Sequence, residues 1–120
     1  MTNTPAADCI FCKLINKQIP STPVYEDADA VVLRDINPQA PHHLLVLPRV
    51  HVRDLPALIA HGDARLPGHL LTVANQVAAQ EGLVEQGFRL VINTGANAGQ
   101  SVFHLHVHVL GGRGFGWPPG

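Results

Sequence analysis

Three histidines, His104, His106 and His108, occupy alternate positions of one short segment, with apolar residues between them. Alternate side chains of a β-strand share one face. The spacing therefore predicts a strand over residues 103–110 with three imidazoles on one face. Its other face, which begins with Phe103, would pack against a core. An imidazole is nucleophilic at neutral pH, and a ring whose Nδ1 donates to a carbonyl keeps Nε2 free to attack.

Two other interpretations of these histidines stay open at this point. A polar strand face can consist of histidines that have no chemical role. A single metal site is the second alternative, but alternate strand residues lie about 6.7 Å apart, so His104 and His108 would stand about 13 Å apart. Two rings could chelate one ion, whereas three could do so only with strain. We expect separate roles, with one nucleophile whose neighbours position a phosphoryl oxygen or pass a proton.

The loop ahead of these histidines contains small residues that suit an anion. Gly99 and Ser101 lie there, and small residues let backbone N–H groups approach a phosphate closely. The sequence has no G-x-x-x-x-G-K-[ST] pattern, so the loop is not a Walker motif. We interpret this loop as a phosphate-binding segment only because the three histidines follow it directly.

The two cysteines, Cys9 and Cys12, have C-x-x-C spacing. The N-terminus has no basic stretch followed by an apolar run, so we expect no signal peptide and a cytoplasmic location. Structural disulfides are rare in that compartment. The pair is therefore interpreted as metal ligands, a redox pair or two incidental thiols.

Helices and strands that must position these residues are predicted from hydrophobic periodicity. A short helix is expected over residues 9–18 with Asp8 as N-cap, and a long helix over residues 66–80 that ends before Gly82. A brief helix could follow Asp54. Strands are expected at residues 24–26, 30–35, 43–47, 88–93 and 103–110. This pattern predicts an α+β fold with a largely antiparallel five-stranded sheet, as one domain over residues 9–120 after a loose segment 1–8.

Composition excludes several classes of function. The 120 residues carry a net charge of −1, which argues against binding to duplex DNA or to anionic membranes. No apolar run approaches the roughly 20 residues of a transmembrane helix. Only 14% of the residues are charged, against a typical value of about 25%. Because interface cores are depleted in charge, this low fraction indicates that some surface is hidden in an oligomer.

The motifs together resemble the histidine triad (HIT) superfamily and, within it, the Hint branch of histidine triad nucleotide-binding proteins. Residues 104–110 match the superfamily signature H-φ-H-φ-H-φ-φ, in which φ is apolar. The similarity covers about residues 9–120 and includes Cys9-Ile-Phe-Cys-Lys, Ile19-Pro, Asp35-Ile-Asn-Pro-Gln-Ala-Pro, His43-Leu-Leu-Val-Leu-Pro, Gly99-Gln-Ser-Val, Leu110-Gly-Gly-Arg and Trp117-Pro-Pro-Gly. The last of these segments is specific to the Hint branch.

The resemblance implies a purine nucleoside phosphoramidase, which cleaves the P–N bond of adenosine 5′-phosphoramidates and related acyl-adenylates. His106 would attack the α-phosphorus, and water would then release AMP or another purine nucleotide from the nucleotidyl-histidine. The backbone carbonyl of His104 would hold the tautomer of His106, and His43 would orient the triad or relay a proton. Dinucleoside polyphosphate hydrolysis is the alternative reaction, and a nucleotide-binding regulatory or scaffold protein with vestigial hydrolysis is the alternative class.

The resemblance also implies a nucleotide site. Its phosphate would contact His108, Ser101 and the Gly99 amide, with Gln100 and Val102 in the same segment, and Asn93 would lie near the phosphate and ribose. Asp35 would hold the ribose hydroxyls. Apolar residues would surround the base: Ile10, Phe11, Leu14, Ile19, Leu33, Ile36 and Leu45. Trp117 would reach toward the site of a partner subunit.

A zinc site and a dimer complete what the resemblance implies. Several bacterial HIT proteins combine an early C-x-x-C, a histidine after a Pro-Arg turn and the first triad histidine. Here these are Cys9, Cys12, His51 and His104, which would hold a structural zinc that the reaction does not need. Homodimers of the family join through the long helix and adjoining strands into one ten-stranded sheet. The remaining histidines, His42, His61 and His69, are expected to be ordinary surface residues.

Overall fold

Residues 8–120 are described by this computed structural model and contain three α-helices and five β-strands. The helices are α1 (Ile10–Ile15), α2 (Leu55–Ala60) and α3 (Arg65–Gln80), and the strands are β1 (Tyr25–Glu26), β2 (Ala30–Arg34), β3 (His42–Pro48), β4 (Phe88–Val91) and β5 (Val107–Gly111). A short 3-10 turn, Ala96–Ala98, precedes β5. Of the segment 1–8 that was expected to be loose, only Asp8 lies within the described residues.

The five strands form one sheet in the order β1-β2-β3-β5-β4, and all of its pairings are antiparallel. The expected α+β fold on an antiparallel sheet is therefore confirmed. The brief helix expected after Asp54 is present as α2, with the Asp54 carboxylate as its N-cap. Among residues 8–120, no helix is long and apolar enough to cross a membrane.

Because side chains alternate along each strand, both faces of the sheet are buried, one under α3 and the other under α1. One face packs against α3 in the larger apolar cluster, which contains Val32, Leu44, Val46, Val107 and Val109 from the three central strands. The opposite face packs against α1 in a smaller cluster with Val31, Leu33, Leu45 and Leu47. Because His108 is paired with Leu45 in the β3–β5 register, its side chain lies on the face that carries α1.

Helix α3 covers the first face as its periodicity predicts. Its buried residues are Leu66, Leu70, Val73, Ala74, Val77 and Ala78, which repeat at intervals of three and four. The helix ends before Gly82, whose φ of 76° is the left-handed conformation that glycine adopts without steric cost. Full burial of this stripe makes α3 and the sheet the main core of the domain.

Helix α1 is shorter than expected and has a different N-cap. It spans Ile10–Ile15, and the sulfur of Cys9, not the carboxylate of Asp8, accepts the N–H of Cys12 at 3.3 Å. Lys17 has a φ of 62°, so the chain leaves the helical conformation before the expected end at residue 18. The cap is a thiol because both cysteines are drawn into a buried cluster with histidines.

Strand β5 begins later than expected, and this corrects the prediction of three histidines on one strand face. The ladder with β3 starts at Val107, so only His108 belongs to the strand. Upstream, the N–H of Leu105 donates to the carbonyl of Val52 at 2.8 Å instead of joining the ladder. Phe103 is 45% exposed under the guanidinium of Arg53, so its expected place in the core is wrong.

Two of the histidines expected to be ordinary surface residues have defined partners. The carboxylate of Asp27 accepts the Tyr25 hydroxyl and the His69 Nε2–H, each at 2.8 Å, and so ties the β1–β2 turn to α3. His42 lies 3.2 Å from a carboxylate oxygen of Glu81. His61, at the end of α2, is exposed as expected.

Hydrogen bonds set the charge state of Asp27. Burial by itself raises the pKa of this carboxyl, but the backbone N–H groups of Asp29 and Ala30, the Tyr25 hydroxyl and His69 outweigh burial and lower it to about 2. Because the folded pKa lies below the ordinary value of 3.8, the resulting stabilisation is complete above that value. It is lost as the pH falls through about 2.

Replacing Asp27 by Asn should lower the free energy of unfolding at pH 7 by about 1–2 kcal/mol, because the charged acceptor of these hydrogen bonds is lost. The difference from the wild type should shrink at pH 3, where the unfolded carboxylate is largely protonated. Urea unfolding at both pH values measures the effect. Glu85→Gln, which removes an exposed carboxylate, is the matched control, and an equal loss in both variants would contradict the assignment.

Candidate active site and metal centre

A cavity of about 460 Å³ opens between α1, the loop after β2 and the start of β5. Its volume lies in the range of small-molecule sites. One part of its wall is apolar and the other carries imidazoles, a carboxylate and a hydroxyl. The residues that line it are Ile10, Phe11, Leu14, Leu33, Arg34, Asp35, Ile36, Asn37, Gln39, His43, Leu45, Ser101, Val102, His106 and His108.

The structure brings most of the expected nucleotide-site residues to this cavity and leaves five outside its lining: Ile19, Asn93, Gly99, Gln100 and Trp117. Gln100 is buried, and its side chain bonds to the backbone of Gly95, Arg53 and Val102, so it holds the loop before the histidines. Trp117 is 85% exposed in this single chain. His104 is also absent from the lining because it is fully buried beneath it.

Three lining residues were missed by the sequence analysis: Arg34, Asn37 and Gln39. All three flank Asp35 in the chain or follow it in the loop to β3. The signal that could have found them is this position, because a loop that places one side chain at a site also brings its neighbours there.

His106 is oriented by a backbone carbonyl. Its Nδ1 lies 2.7 Å from the carbonyl oxygen of His104, and because that oxygen can only accept, Nδ1 carries the hydrogen. The Nε2 of the neutral ring then has a free lone pair. The ring of Phe11 packs edge-on against it at 5.1 Å between centroids and limits its rotation. The ring of His106 is thus held with the lone pair of its Nε2 available.

His108 is set in the opposite tautomer by a chain of hydrogen bonds. The backbone N–H of Gln39 donates to Nδ1 of His43 at 3.0 Å, so His43 carries its hydrogen on Nε2. That Nε2 lies 2.8 Å from Nδ1 of His108 and 3.4 Å from a carboxylate oxygen of Asp35. His108 therefore accepts at Nδ1 and carries a hydrogen on Nε2. The site pairs a lone pair on His106 with a proton donor on His108, whose ring centroids are 4.9 Å apart.

The rings of His108 and His43 are both neutral near pH 7. Burial, helped by the nearby His106 and His43 and opposed by Asp35, lowers the pKa of His108 to about 4. Burial also lowers the pKa of His43, against the attraction of Asp35. Neutral rings keep the tautomers that the hydrogen bonds select.

The donor atoms of Asp35, His43 and His108 lie within 4.8 Å of one another, which by itself also fits a metal ion. The hydrogen bond from Gln39 argues against that use. It occupies the Nδ1 lone pair of His43, so Nε2 bears a hydrogen where a metal would need a lone pair. These three residues are better described as a hydrogen-bonded chain.

A second cluster, formed by Cys9, Cys12, His51 and His104, brings four donor atoms within 4.8 Å of one another. Sulfur-to-nitrogen distances are 3.4 Å for Cys9–His104, 3.6 Å for Cys12–His104 and 3.2 Å for Cys12–His51, and the Nδ1 atoms of the two histidines are 3.2 Å apart. Tetrahedral zinc bonds would give about 3.6 Å between sulfur and nitrogen and about 3.3 Å between nitrogens. The four residues fit a closed tetrahedral site.

The tautomer of His104 suits a metal ligand. Its Nε2–H donates to the carbonyl of Pro48 at 2.9 Å, so the lone pair of Nδ1 faces the two sulfurs. Burial lowers its pKa to about 4, the Pro48 carbonyl opposes this, and His51 and His106 add to the lowering. A neutral ring anchored through its second nitrogen is the usual arrangement of a metal-binding histidine.

A family profile covers most of the chain. A profile of the HIT domain matches residues 16–115 of the chain, which include all three triad histidines. The chain belongs to the HIT domain family. The match begins after Cys9 and Cys12 and includes His51 and His104 of the second cluster.

Relatives of this HIT protein extend over nearly its whole length. An uncharacterized HIT-like protein of Synechocystis is 52% identical over 115 residues, which are 96% of this chain and 99% of the relative. A protein of Zea mays named "14 kDa zinc-binding protein" is 54% identical over 92% of this chain and 87% of its own. The crystal structure of a HIT family hydrolase from Legionella pneumophila has a TM-score of 0.89 at 44% identity, over 94% of this chain and 100% of its own.

We expect His108 of this HIT protein to carry its hydrogen on Nε2 and to become protonated only as the pH falls through about 4. Two-bond ¹H–¹⁵N correlation spectra of the ¹⁵N-labelled protein distinguish the two ring nitrogens. In His43→Leu the donor to Nδ1 is lost, so both tautomers of His108 should be populated. A hydrogen on Nδ1 of His108 in the wild type would show that the hydrogen bonds from Gln39 through His43 to His108 are wrongly assigned.

Proposed function

We propose that this HIT protein is a nucleotide-binding hydrolase of the Hint branch, a purine nucleoside phosphoramidase that releases AMP or GMP. The observation that carries the proposal is the opposite tautomers of His106 and His108 at the polar end of an apolar cavity. A free lone pair beside a hydrogen donor is what cleavage of a P–N bond needs, because the amine leaves only with a proton.

In the first step, Nε2 of His106 forms a bond to the α-phosphorus and the P–N bond breaks. The Nε2–H of His108 donates a hydrogen bond to the leaving nitrogen, which takes up one proton from solvent and departs as an amine. His43 keeps its Nε2 hydrogen and holds Nδ1 of His108 as the acceptor. The phosphorylated ring of His106 is cationic and keeps its hydrogen on Nδ1, where the His104 carbonyl at 2.7 Å stabilises the charge. Water then attacks phosphorus, one of its protons returns to solvent, and the bond from phosphorus to Nε2 of His106 breaks. The nucleoside monophosphate is released and His106 is again neutral.

The cavity wall supports a nucleotide as the bound group. Apolar side chains of Phe11, Leu33 and Leu45 form a surface for a purine, and the Asp35 carboxylate lines the same cavity, where it can accept hydrogen bonds from ribose hydroxyls. Ser101, with the two imidazoles, takes the phosphate in this proposal. The remaining lining residues from the expected set, Ile10, Leu14, Ile36 and Val102, extend the apolar wall.

The charge of the wall favours a monophosphate over a polyphosphate. Among the lysines and arginines in the described part of the chain, only Arg34 lines the cavity. Its guanidinium is engaged by both carboxylate oxygens of Glu81, at 2.6 Å and 3.1 Å. Dinucleoside polyphosphate hydrolysis, the alternative reaction, would place further phosphate charges beside a wall that has no other fixed cation.

His106→Ala and His106→Asn should each lower kcat for an adenosine 5′-phosphoramidate by a factor on the order of 10⁴ or more, because the nucleophile is removed. Steady-state release of AMP measures this. His61→Gln, at the exposed end of α2, is the matched control and should keep wild-type turnover. Near-wild-type hydrolysis by either His106 variant would rule out the nucleophile. Absence of turnover by the wild type, with AMP still bound, would favour the regulatory class.

Zinc is the ion that we propose for Cys9, Cys12, His51 and His104. Two thiolates and two imidazoles are its preferred donors, and four protein ligands leave no open position for catalysis. When bound, zinc supplies a structural tie between α1, the turn after β3 and the segment before β5. The similarity to the zinc-binding protein of Zea mays supports this choice. We place the protein in the cytoplasm, where such thiolates stay reduced.

A homodimer is the proposed assembly. Strand β4 lies at the edge of the sheet, with all four of its residues only half-buried. Leu71 on α3 is 46% exposed. A second copy paired along β4 and packed on α3 would cover both and extend the sheet to ten strands. Trp117 would then be free to reach the partner subunit's site.

Native mass spectrometry should find two chains with two zinc ions, and the double variant Cys9→Ser with Cys12→Ser should have none. A chelator should lower the melting temperature of the wild type and leave that of the double variant unchanged, because the variant has no ion to lose. A zinc-free wild type whose melting temperature is insensitive to chelator would contradict the zinc site. A monomer at micromolar concentration would contradict the dimer.

A further inference from the structure

Two residues, His104 and Phe11, connect the metal centre to the cavity. The ring of His104 contributes a donor atom to the cluster with Cys9 and Cys12, and its backbone carbonyl holds Nδ1 of His106 at 2.7 Å. The ring of Phe11 packs edge-on against both histidines, at 5.9 Å from His104 and 5.1 Å from His106. A shift at the metal centre therefore reaches the nucleophile through direct contacts.

Helix α1 connects the same two sites through the chain. Cys9 and Cys12 enclose Ile10 and Phe11, and both enclosed residues line the cavity. The helix has only six residues, and its N-cap is the sulfur of Cys9. Helices of this length are not stable in water on their own. Its position depends on ligation by the two cysteines and on the smaller apolar cluster.

The main core does not depend on this helix. The larger apolar cluster, on the other face of the sheet, consists of residues from the strands, α2, α3 and their connections and includes none from α1. Loss of the ion would therefore loosen α1 and the cavity wall while the domain stays folded. The metal centre therefore affects the position of α1 and not the main core, and α1 forms part of the cavity wall that we assign to the purine.

We propose that the metal centre and the nucleotide cavity are coupled binding sites, with Phe11 and His104 as the positioning residues that couple them. The proposal rests on the nucleotide-binding function proposed above. A ligand that fixes α1 makes it easier for the second ligand to bind, and coupling between two sites is reciprocal. Zinc should thus strengthen nucleotide binding by the same factor by which the nucleotide strengthens zinc binding.

The expected factor is about tenfold, within the usual range of coupling between sites. Calorimetric titration of AMP into the zinc-loaded and zinc-depleted protein gives one side of the cycle. Equilibrium competition for zinc with a chelator, in the presence and absence of saturating AMP, gives the other. The two ratios should agree. Both are binding measurements, so they do not depend on turnover.

Phe11→Leu is the decisive variant, because it keeps all four donor residues and an apolar side chain but removes the edge-on ring contacts. Its ratio of AMP affinities with and without zinc should fall toward one. Ile36→Ala is the matched control. Ile36 also lines the cavity but is fully exposed and lies outside α1, so AMP should bind more weakly while the ratio stays at its wild-type value.

Three results would overturn the coupling. They are equal AMP affinity with and without zinc, an unchanged ratio in Phe11→Leu, and a zinc-depleted protein that has lost its cooperative melting transition, since that would make the effect one of global folding. Absence of AMP binding to the zinc-loaded protein would instead overturn the proposed function, and the coupling with it. The first outcome leaves the proposed function intact, so the two failures are distinguishable.

Discussion

The hydrogen bond from Nδ1 of His106 to the carbonyl of His104 is the contact on which the chemistry of the site depends. It exists because the residues just before β5 lie outside the ladder with β3. There the His104 carbonyl turns toward the ring of His106, two residues along the chain. That departure is held in place by the buried ring of His104, by Pro48 and by the backbone bond between Leu105 and Val52. A regular strand over the same residues would have used this carbonyl in the ladder, and Nδ1 of His106 would have lost its acceptor.

The sheet separates two requirements that compete in a small domain. A stable core needs continuous apolar packing, whereas a reactive site needs polar groups that are partly buried and held in one orientation. Strand alternation assigns Val46 and Val107 to the first task and Leu45 and His108 to the second. The same period of two explains why such a short chain can have both a dry core beneath α3 and a cavity beneath α1.

Local patterns were sufficient for the elements whose partners are ordinary apolar contacts. The stripe of α3 and the antiparallel sheet follow from periodicity alone, and the cavity residues from family resemblance. The late start of β5, the exposure of Phe103 and the sulfur cap of α1 could not be predicted in the same way. Each is imposed by side chains distant in sequence that converge on His104, and no window of neighbouring residues contains that information. The roles of individual site residues stay predictions.

Three main-chain groups determine the ring tautomers: the Gln39 N–H and the carbonyls of Pro48 and His104. Backbone groups are present whatever side chain occupies a position, with the exception of proline as a donor. The protonation pattern of the site is therefore protected against most substitutions at positions 39 and 48. Drift in the sequence of the surrounding loops can change what the cavity binds while the arrangement of its hydrogens persists, so specificity and reactivity can evolve independently.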